Sequence, residues 1–120
     1  MSASKTEPQM SAKIRLLELS SGEFRFELIA NNRAVIGASA AFAGRNAVMQ
    51  AIQALTSNAL SCRFGIDGYD KHYFELYAGD GSKIMRSLDF SSEQAALDAW
   101  QLVQHTAKVA RLVDRTRSDQ

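Results

Sequence analysis

The side chains that could do chemistry are few and scattered: one cysteine, two histidines and a serine in a motif that approaches a nucleophile elbow. The segment Gly37-Ala38-Ser39-Ala40-Ala41 ends in alanine where that elbow requires glycine. A second serine, Ser87, stands at the same place 48 residues later. A hydroxyl repeated at a strand end before a helix is typical of serine bonded to nearby backbone. We therefore assign no catalytic residue and expect no enzymatic activity.

Metal and cofactor sites are not indicated either. His72, His105 and Cys62 lack the paired spacing of zinc ligands. His72 alternates with apolar residues, which predicts an imidazole in the core or at its boundary. Gly79-Asp80-Gly81 reads as a hairpin turn and lacks the strand-to-helix context of a phosphate loop. We expect no metal ion and no cofactor.

A repeated carboxylate is the remaining chemical candidate. Glu27 and Glu75 occupy the same place in two copies of Phe-Glu-Leu. Two carboxylates could act as general acid and base, but neither has a plausible nucleophile or base beside it. Cross-strand pairing with arginine or lysine is the interpretation we prefer.

The secondary-structure elements that position these residues occur in two copies, as an internal sequence repeat shows. When residues 14–59 are laid on 62–107, 12 of the 46 pairs are identical, among them Phe26/Phe74, Ile36/Ile84 and Phe42/Phe90. A repeat period of this size usually marks duplication of a supersecondary unit. Alternating apolar residues predict hairpin-linked strands in each copy, and apolar residues at helical spacing then predict one helix.

The predicted fold is α+β: two tandem β-β-β-α repeats in one domain, with one helix per repeat packed on an antiparallel sheet. The two copies are expected to be related by a pseudo-twofold axis. The predicted boundaries are a disordered tail at 1–12, repeat 1 at 13–60, repeat 2 at 61–114 and a polar tail at 115–120. Gly44 gives the first helix a weak cap, whereas Ser91 with Gln94 predicts a capping box for the second.

The C-terminal segment allows two structures. By helical periodicity alone, residues 105–113 could extend the second helix. The 48-residue register places Ala110-Arg111-Leu112 in phase with two segments that are predicted strands. We therefore expect the helix to end near Thr106 and a short closing strand to span 109–113.

Bulk composition narrows the class of protein. The 120 residues suffice for one domain, and a formal net charge of +1 does not indicate a nucleic-acid or membrane-surface protein. A single cysteine excludes an intrachain disulfide, and no window has the roughly 20 apolar residues of a membrane span. We expect a soluble, cytoplasmic protein, either monomeric as an internal pseudo-dimer or homodimeric.

The order of these segments resembles the YegP-like family of small bacterial proteins, a domain of unknown function often found as two tandem copies. The likeness runs over about residues 13–116 and lies in both Phe-Glu-Leu strands, Ile36, Ser39 and Val113-Asp114-Arg115-Thr116. The family usually has Asn-Gly at the hairpin and tyrosine before the helix, where this chain has Asn31-Asn32 and Phe42. The resemblance implies the tandem α+β fold and a bacterial origin, and it implies no activity.

Two binding hypotheses follow. The first is a protein-interaction or structural module that uses the exposed sheet face, because Tyr and Arg are enriched at interface hot spots. Its residues are Arg25, Ile29, Tyr73 and Tyr77. The alternative is a nucleic-acid-binding domain that uses C-terminal and loop cations, which are Lys108, Arg111, Arg115 and Arg117. Glu23, Glu27 and Glu75 are expected to give the sheet face mixed charge, which favours the first hypothesis.

Overall fold

The structure, a computed structural model, describes residues 12–30, 33–57 and 60–116. Within these ranges the elements are β1 (Lys13–Glu18), β2 (Phe24–Ile29), β3 (Val35–Ala38), α1 (Arg45–Leu55), β4 (Ser61–Ile66), β5 (His72–Tyr77), β6 (Lys83–Ser87), α2 (Glu93–Thr106) and β7 (Arg111–Arg115). This is the predicted order, two β-β-β-α units followed by a closing strand. The second helix ends at Thr106, as the 48-residue register predicted.

The boundaries at both ends differ from the prediction. The tails predicted at 1–12 and 115–120 lie mostly outside the described residues. Ala12, however, is buried, and its carbonyl oxygen accepts a hydrogen bond of 3.0 Å from the backbone N–H of Arg111. Arg115 belongs to β7. The described fold therefore includes one residue more at each end than the sequence indicated.

All seven strands form one sheet in the order β4-β5-β6-β3-β2-β1-β7. Each repeat contributes an antiparallel three-stranded meander, and β3 joins β6 in antiparallel pairing at the centre. At this junction Ala38 pairs with Arg86, and the 48-residue offset equates these two residues. That is the pairing expected at a pseudo-twofold axis. The closing strand β7 pairs with β1 in parallel, so the sheet is mixed.

Both helices lie on one side of the sheet, because an axis perpendicular to the sheet carries each helix to the same face. Their apolar stripes bury the alternate strand residues of both repeats in one core. The largest fully buried side chains are Phe26, Phe74, Ile14, Leu16, Leu28, Leu55, Leu76, Met85, Val48 and Val103. Burial of each such side chain stabilises the fold by about 1.5–3 kcal/mol.

The first helix lacks a side-chain cap and the second has one, as the sequence predicts, but the capping residue of the second helix differs from the prediction. Gly44 precedes α1 and offers no side chain to cap it. For α2 the cap is Ser92, whose Oγ accepts a hydrogen bond of 3.1 Å from the N–H of Ala95. The prediction of Ser91 as the capping residue was wrong by one position. The adjacent serine has the extended backbone that a capping residue needs.

Each repeat contains one register shift at the same place, between Leu28 and Ile29 and between Leu76 and Tyr77. In β6 the shift leaves Ile84 as the extra residue, and Ile84 is buried. A bulge of this kind changes which face the following residues occupy. Faces cannot therefore be assigned by simple alternation along β3 and β6.

Candidate functional site

The side of the sheet away from the helices, called here the open face, is the candidate site. No described element covers it, because α1 and α2 both pack on the opposite side. Strand register assigns its residues, since paired residues on neighbouring strands point to the same side of a sheet. The open face carries charged and tyrosine side chains, whereas the covered face carries the aliphatic and phenylalanine core.

Basic residues dominate the open face. Eight of the chain's 14 basic residues lie there, against two of its 13 acidic residues. The basic ones are Lys13, Arg15, Arg25, Arg63, Lys83, Arg86, Arg111 and Arg115, and the acidic ones are Glu27 and Glu75. Because the whole chain has a net charge of only +1, the rest of the molecule is acidic. The chain is thus nearly neutral in total but strongly polarised.

Both carboxylates on this face are held in ion pairs. Glu27 binds Arg15 on β1, with Nη2 2.5 Å from Oε1, and Arg25 on its own strand at 3.2 Å. Glu75 binds Lys83 on β6 at 2.7 Å. The cross-strand pairing preferred from the sequence is therefore present in both repeats. These carboxylates neutralise part of the basic surface and have no arrangement suited to acid–base catalysis.

Hydrogen bonding holds Glu75 ionised. The Lys83 ammonium lowers the pKa of this carboxyl below its ordinary value, and the Tyr77 hydroxyl adds a second donor at 2.9 Å. The same contact with Glu75 raises the pKa of the Tyr77 phenol. Tyr77 is therefore oriented along the sheet, with its oxygen directed to its own strand.

Two arginine–tyrosine stacks lie beside this cluster. The guanidinium carbon of Arg63 is 4.8 Å from the ring centre of Tyr77, and that of Arg86 is 3.9 Å from the ring centre of Tyr73. Gly65 makes room for the second stack, because a Cβ there would lie 2.6 Å from the Tyr73 ring. Such a stack holds the guanidinium plane fixed. Arg86 also donates from Nη2 to Asp89 Oδ1 at 3.1 Å, so the guanidinium of Arg63 is the more available of the two to a ligand.

The residues predicted for a protein interface are only partly exposed. Arg25, Tyr73 and Tyr77 lie on the open face, all half-buried. Ile29 does not belong to an exposed surface, since only 6% of it is accessible, and this prediction was wrong. The register shift falls at Ile29, which is flanked by Lys13 on one side and Val35 on the other.

The residues predicted for nucleic-acid contact divide between two locations. Arg111 and Arg115 lie on the open face of β7, opposite Lys13 and Leu17 of β1. Lys108 lies in the turn after α2, and Arg117 lies outside the described residues. Sequence reasoning missed five cations of the open face, which are Lys13, Arg15, Arg63, Lys83 and Arg86. Their positions depend on strand pairing and on the bulge in β6.

The serines that resembled a nucleophile have structural partners. Ser39 Oγ accepts a hydrogen bond of 3.0 Å from the N–H of Phe26 and donates one of 2.7 Å to the carbonyl of Ala40. Ser87 makes the equivalent pair with Phe74 and Leu88. Both serines are buried. Each hydroxyl satisfies backbone groups at the end of a strand, which is the interpretation given from the sequence.

Metal ligands do not cluster within the described part of the chain: no group of three or more His, Cys, Asp or Glu residues is close enough to hold an ion. His72 is half-buried beside the N-terminus of α2, together with Phe64 and Glu93. Among the described residues, neither helix has the length and apolar composition that a membrane crossing requires.

Comparison with known proteins finds a matching domain family and a related bacterial protein. The model of a domain of unknown function, DUF1508, matches the chain twice, over residues 20–61 and 67–114. A UPF0339 protein from the 5′ region of the ptx operon of Stutzerimonas stutzeri is 29% identical over 108 residues, covering 88% of this chain and 97% of the relative.

Two solution NMR structures share the fold. That of the E. coli protein of unknown function yegP has a TM-score of 0.82 at 23% identity, covering 92% of this chain and 97% of that one. That of the UPF0339 protein SO3888 from Shewanella oneidensis has a TM-score of 0.81 at 27% identity, covering 88% and 92%. Both agree with the α+β fold expected from the sequence.

Proposed function

Since the chain belongs to the DUF1508 family, whose function is unknown, we propose that it is a non-enzymatic module that binds single-stranded nucleic acid on its open face. The YegP-like resemblance drawn from the sequence is confirmed by this membership and by the two NMR structures. Nothing in the names of these relatives specifies a ligand. The proposal therefore rests on the charge and shape of the surface.

Segregation of charge is the observation that carries the proposal. Eight strand cations lie on one face against two strand carboxylates, and a third carboxylate, Asp89, pairs with Arg86 from outside the strands. The remaining excess of positive charge creates a local potential that the net charge of +1 conceals. A polyanion that covers this face releases counterions with each phosphate neutralised. Lys13, Arg63, Arg111 and Arg115 form no ion pair among the described residues, so their charges are the most available.

The extent and chemistry of the face suit a single strand. The cations run from β4 to β7, and six strand spacings of about 4.8 Å give a track of about 29 Å, long enough for several nucleotides. Tyr73 and Tyr77, each stacked with an arginine, provide planar groups on which bases can stack. An open sheet bearing aromatic and basic side chains is also the surface that several RNA-binding domains use.

The hypothesis of a protein partner on this face loses support. Protein interfaces have an apolar core, and the residues predicted for a protein interface on this face include one aliphatic side chain, Ile29. Ile29 is buried, so the aliphatic residue predicted for that interface is not accessible. The acidic residue Glu23 lies outside β2, in the turn before it, where its carboxylate accepts a hydrogen bond from Ser21 Oγ.

The test is fluorescence anisotropy of the full chain with labelled 12-nucleotide single-stranded RNA and DNA at 50 to 200 mM salt. We expect binding at low salt, with a slope of log K against log salt of about −0.7 for each phosphate contacted. A duplex of the same sequence and a polyglutamate peptide serve as competitors. Polyglutamate that competes as well as the single strand would indicate a general polyanion site and contradict nucleic-acid specificity.

Arg111→Gln and Lys108→Gln form a matched pair of variants. Each removes one positive charge, and the two residues stand three positions apart, but only Arg111 lies on the open face. Arg111→Gln should weaken binding and make the salt slope shallower by about 0.7, whereas Lys108→Gln should change neither. Equal effects would place any binding on the C-terminal segment instead of the sheet.

The stacking contribution is tested at Tyr77. Tyr77→Leu removes the ring and should reduce single-strand affinity by roughly tenfold, because base–aromatic stacking contributes about 1–3 kcal/mol. Tyr77→Phe keeps the ring and should retain most of the affinity. A Tyr77→Leu variant that binds like the wild type would rule out stacking on this ring.

A further inference from the structure

The two ends of the sheet are not alike. On β1, the outer edge is filled by β7, which pairs in parallel from Lys13↔Arg111 to Leu17↔Arg115. The 48-residue offset makes β4 the counterpart of β1, and no described strand pairs with the outer edge of β4. The fold therefore contains one filled edge and one equivalent edge whose N–H and C=O groups are open to a further strand.

Corresponding residues of β1 and β4 differ in burial, and the difference shows which side chains a strand beside β4 would cover. Leu16 on β1 is 0% exposed, whereas its counterpart Phe64 on β4 is 48% exposed. Ile66, the last residue of β4, is 60% exposed. Large apolar side chains are thus left accessible along the edge of β4, next to the first turn of α2, where Phe64, Glu93, Gln94 and Leu97 line one groove.

The helix that faces each edge carries a different charge. Arg45 is the first residue of α1, and its guanidinium forms an ion pair with Asp114 of β7 and a hydrogen bond of 3.0 Å to Thr116. The counterpart of Arg45 is Glu93, the first residue of α2. Glu93 is exposed and makes no ion pair with any other residue that the structure describes.

We infer that the edge of β4 binds an extended segment of a partner protein as an eighth strand, parallel to β4, with a basic residue next to Glu93. The template is β7: Leu112 lies opposite Ile14 and Asp114 opposite Leu16, both on the helix side of the sheet. The incoming strand therefore has an apolar residue opposite Cys62 and a lysine or arginine opposite Phe64. Main-chain hydrogen bonds supply affinity, and these two positions supply selectivity.

The charge at Glu93 argues against a second copy of this chain. The β7 strand of another copy would place Asp114 against Glu93, which is a repulsive pair at the position where β1 has an attractive one. Twofold pairing of two β4 strands centred on Phe64 would bring two Glu93 carboxylates to the same seam. Like charges at such positions are destabilising. A basic strand from a different protein avoids both conflicts.

The experiment uses two synthetic peptides and the ¹⁵N-labelled full chain, observed by NMR titration. One peptide copies residues 110–116 with Asp114→Lys, and the other has the native sequence. We expect the lysine peptide to shift the backbone amides of residues 61–66 and to bind about fivefold or more tightly than the native peptide. The two peptides differ at a single residue, so the ratio isolates the contact with Glu93.

Charge reversal in the protein provides the decisive comparison. Glu93→Arg should invert the preference, so that the native peptide becomes the tighter ligand. Asp98→Arg makes the same change of charge five residues further along α2, at another exposed position, and should leave the preference unchanged. Circular dichroism of both variants verifies that the helix is intact.

Three outcomes overturn the inference. They are no shift of residues 61–66 at millimolar peptide, a peptide preference that Glu93→Arg does not alter, and shifts confined to β1 or the open face. Analytical ultracentrifugation and amide hydrogen exchange of the chain alone give a fourth: a dimer whose β4 amides are protected from exchange would assign the edge to a second copy.

Discussion

Met85 occupies the space left by the absent side chain of Gly37. A Cβ placed on Gly37 would lie 2.5 Å from Met85 Cε, 2.6 Å from the carbonyl oxygen of Arg86 and 2.9 Å from the Cα of Ser87. Gly37 and Met85 are counterparts under the 48-residue offset, yet one has no side chain and the other is fully buried. At the junction of β3 and β6, therefore, the two repeats differ: Met85 of the second repeat fills the space beside Gly37 of the first.

Gly37→Ala should destabilise the protein by about 1–3 kcal/mol, because two of the three close contacts are with backbone that cannot move aside. Urea denaturation followed by circular dichroism measures the change. Gly68→Ala is the control, since a Cβ there meets nothing within 4 Å. Equal midpoints for the two variants would mean that the junction of β3 and β6 can widen without cost.

Ser39→Ala and Ser87→Ala should each cost about 1–3 kcal/mol, because each leaves the buried N–H of Phe26 or Phe74 without its acceptor. The same denaturation measurement applies, with Ser61→Ala on the exposed edge of β4 as the control. If both core variants stayed within about 0.5 kcal/mol of the wild type, the hydroxyls would be replaceable and the structural role assigned to them would be wrong.

Gly44→Ser should stabilise the protein by only about 0.3 kcal/mol, because it supplies the side-chain acceptor that α1 lacks but replaces glycine, which is itself tolerated at this position. Ser92→Ala should cost α2 about 1 kcal/mol, since it removes the acceptor for the N–H of Ala95. Thermal unfolding reports both changes. Ser91→Ala distinguishes the two adjacent serines, and an effect larger than that of Ser92→Ala would return the cap to the position expected from the sequence.

Cys62 should react slowly with iodoacetamide in the folded protein. Burial raises the pKa of its thiol from 9.0 to about 11, so at pH 8 the reactive thiolate is about a hundredfold scarcer than in an ordinary cysteine. Mass spectrometry of timed samples, with and without 8 M urea, gives the two rates. Similar rates under both conditions would contradict this prediction.

Stability should fall under acid conditions. Hydrogen bonds from Lys83 to Glu75, from the backbone N–H of Tyr69 to Asp67 and from Ser82 to Asp80 lower the pKa values of these carboxyls in the folded state. A lowered folded-state pKa adds stability that is complete above the ordinary values of 3.8 to 4.5 and is lost as the pH falls through the lowered ones.

The measurement is the urea midpoint at a series of pH values from about 7 to 2.5. It should be nearly level above about pH 5 and should decrease below about pH 4. Glu75→Gln should make the decrease shallower, because glutamine cannot lose the charge that binds Lys83. An unchanged slope in this variant would show that the Glu75 ion pair does not contribute.

The order of helices and strands could be predicted because the 48-residue sequence repeat shows the same pattern in both copies. Neither copy alone decides whether the residues after Thr106 form helix or strand, but the phase of Arg111 with Arg15 and Arg63 predicts a strand. That strand is β7, which spans Arg111–Arg115 and so lies two residues later than the predicted 109–113. The partner and direction of β7 could not be predicted. Its parallel pairing with β1 depends on where the finished sheet places an edge.

The basic surface could not be predicted for a related reason. Lys83 and Arg86 are three residues apart, and by strict alternation they would point to opposite sides. Burial of Ile84 at the bulge brings both to the open face. The corresponding shift in β3 leaves Ile36 as the extra, buried residue. Ile29 lies on the open-face side by its pairing with Lys13, yet its neighbours leave only 6% of it accessible. The gathering of basic residues on one face depends on how the seven strands pair. Neither the net charge nor the pattern of residues along a single strand reveals it.

The parallel pairing of β1 with β7 also sets an order of events in biosynthesis. Lys13 has its outer partner in Arg111, so the edge of the first strand stays bare while nearly the whole described chain is being made. The antiparallel meanders join nearby residues and can form early, whereas this contact has among the largest sequence separations in the fold. We expect the nascent protein to carry two open sheet edges until its last strand is synthesised, and to be most prone to aggregation during that interval.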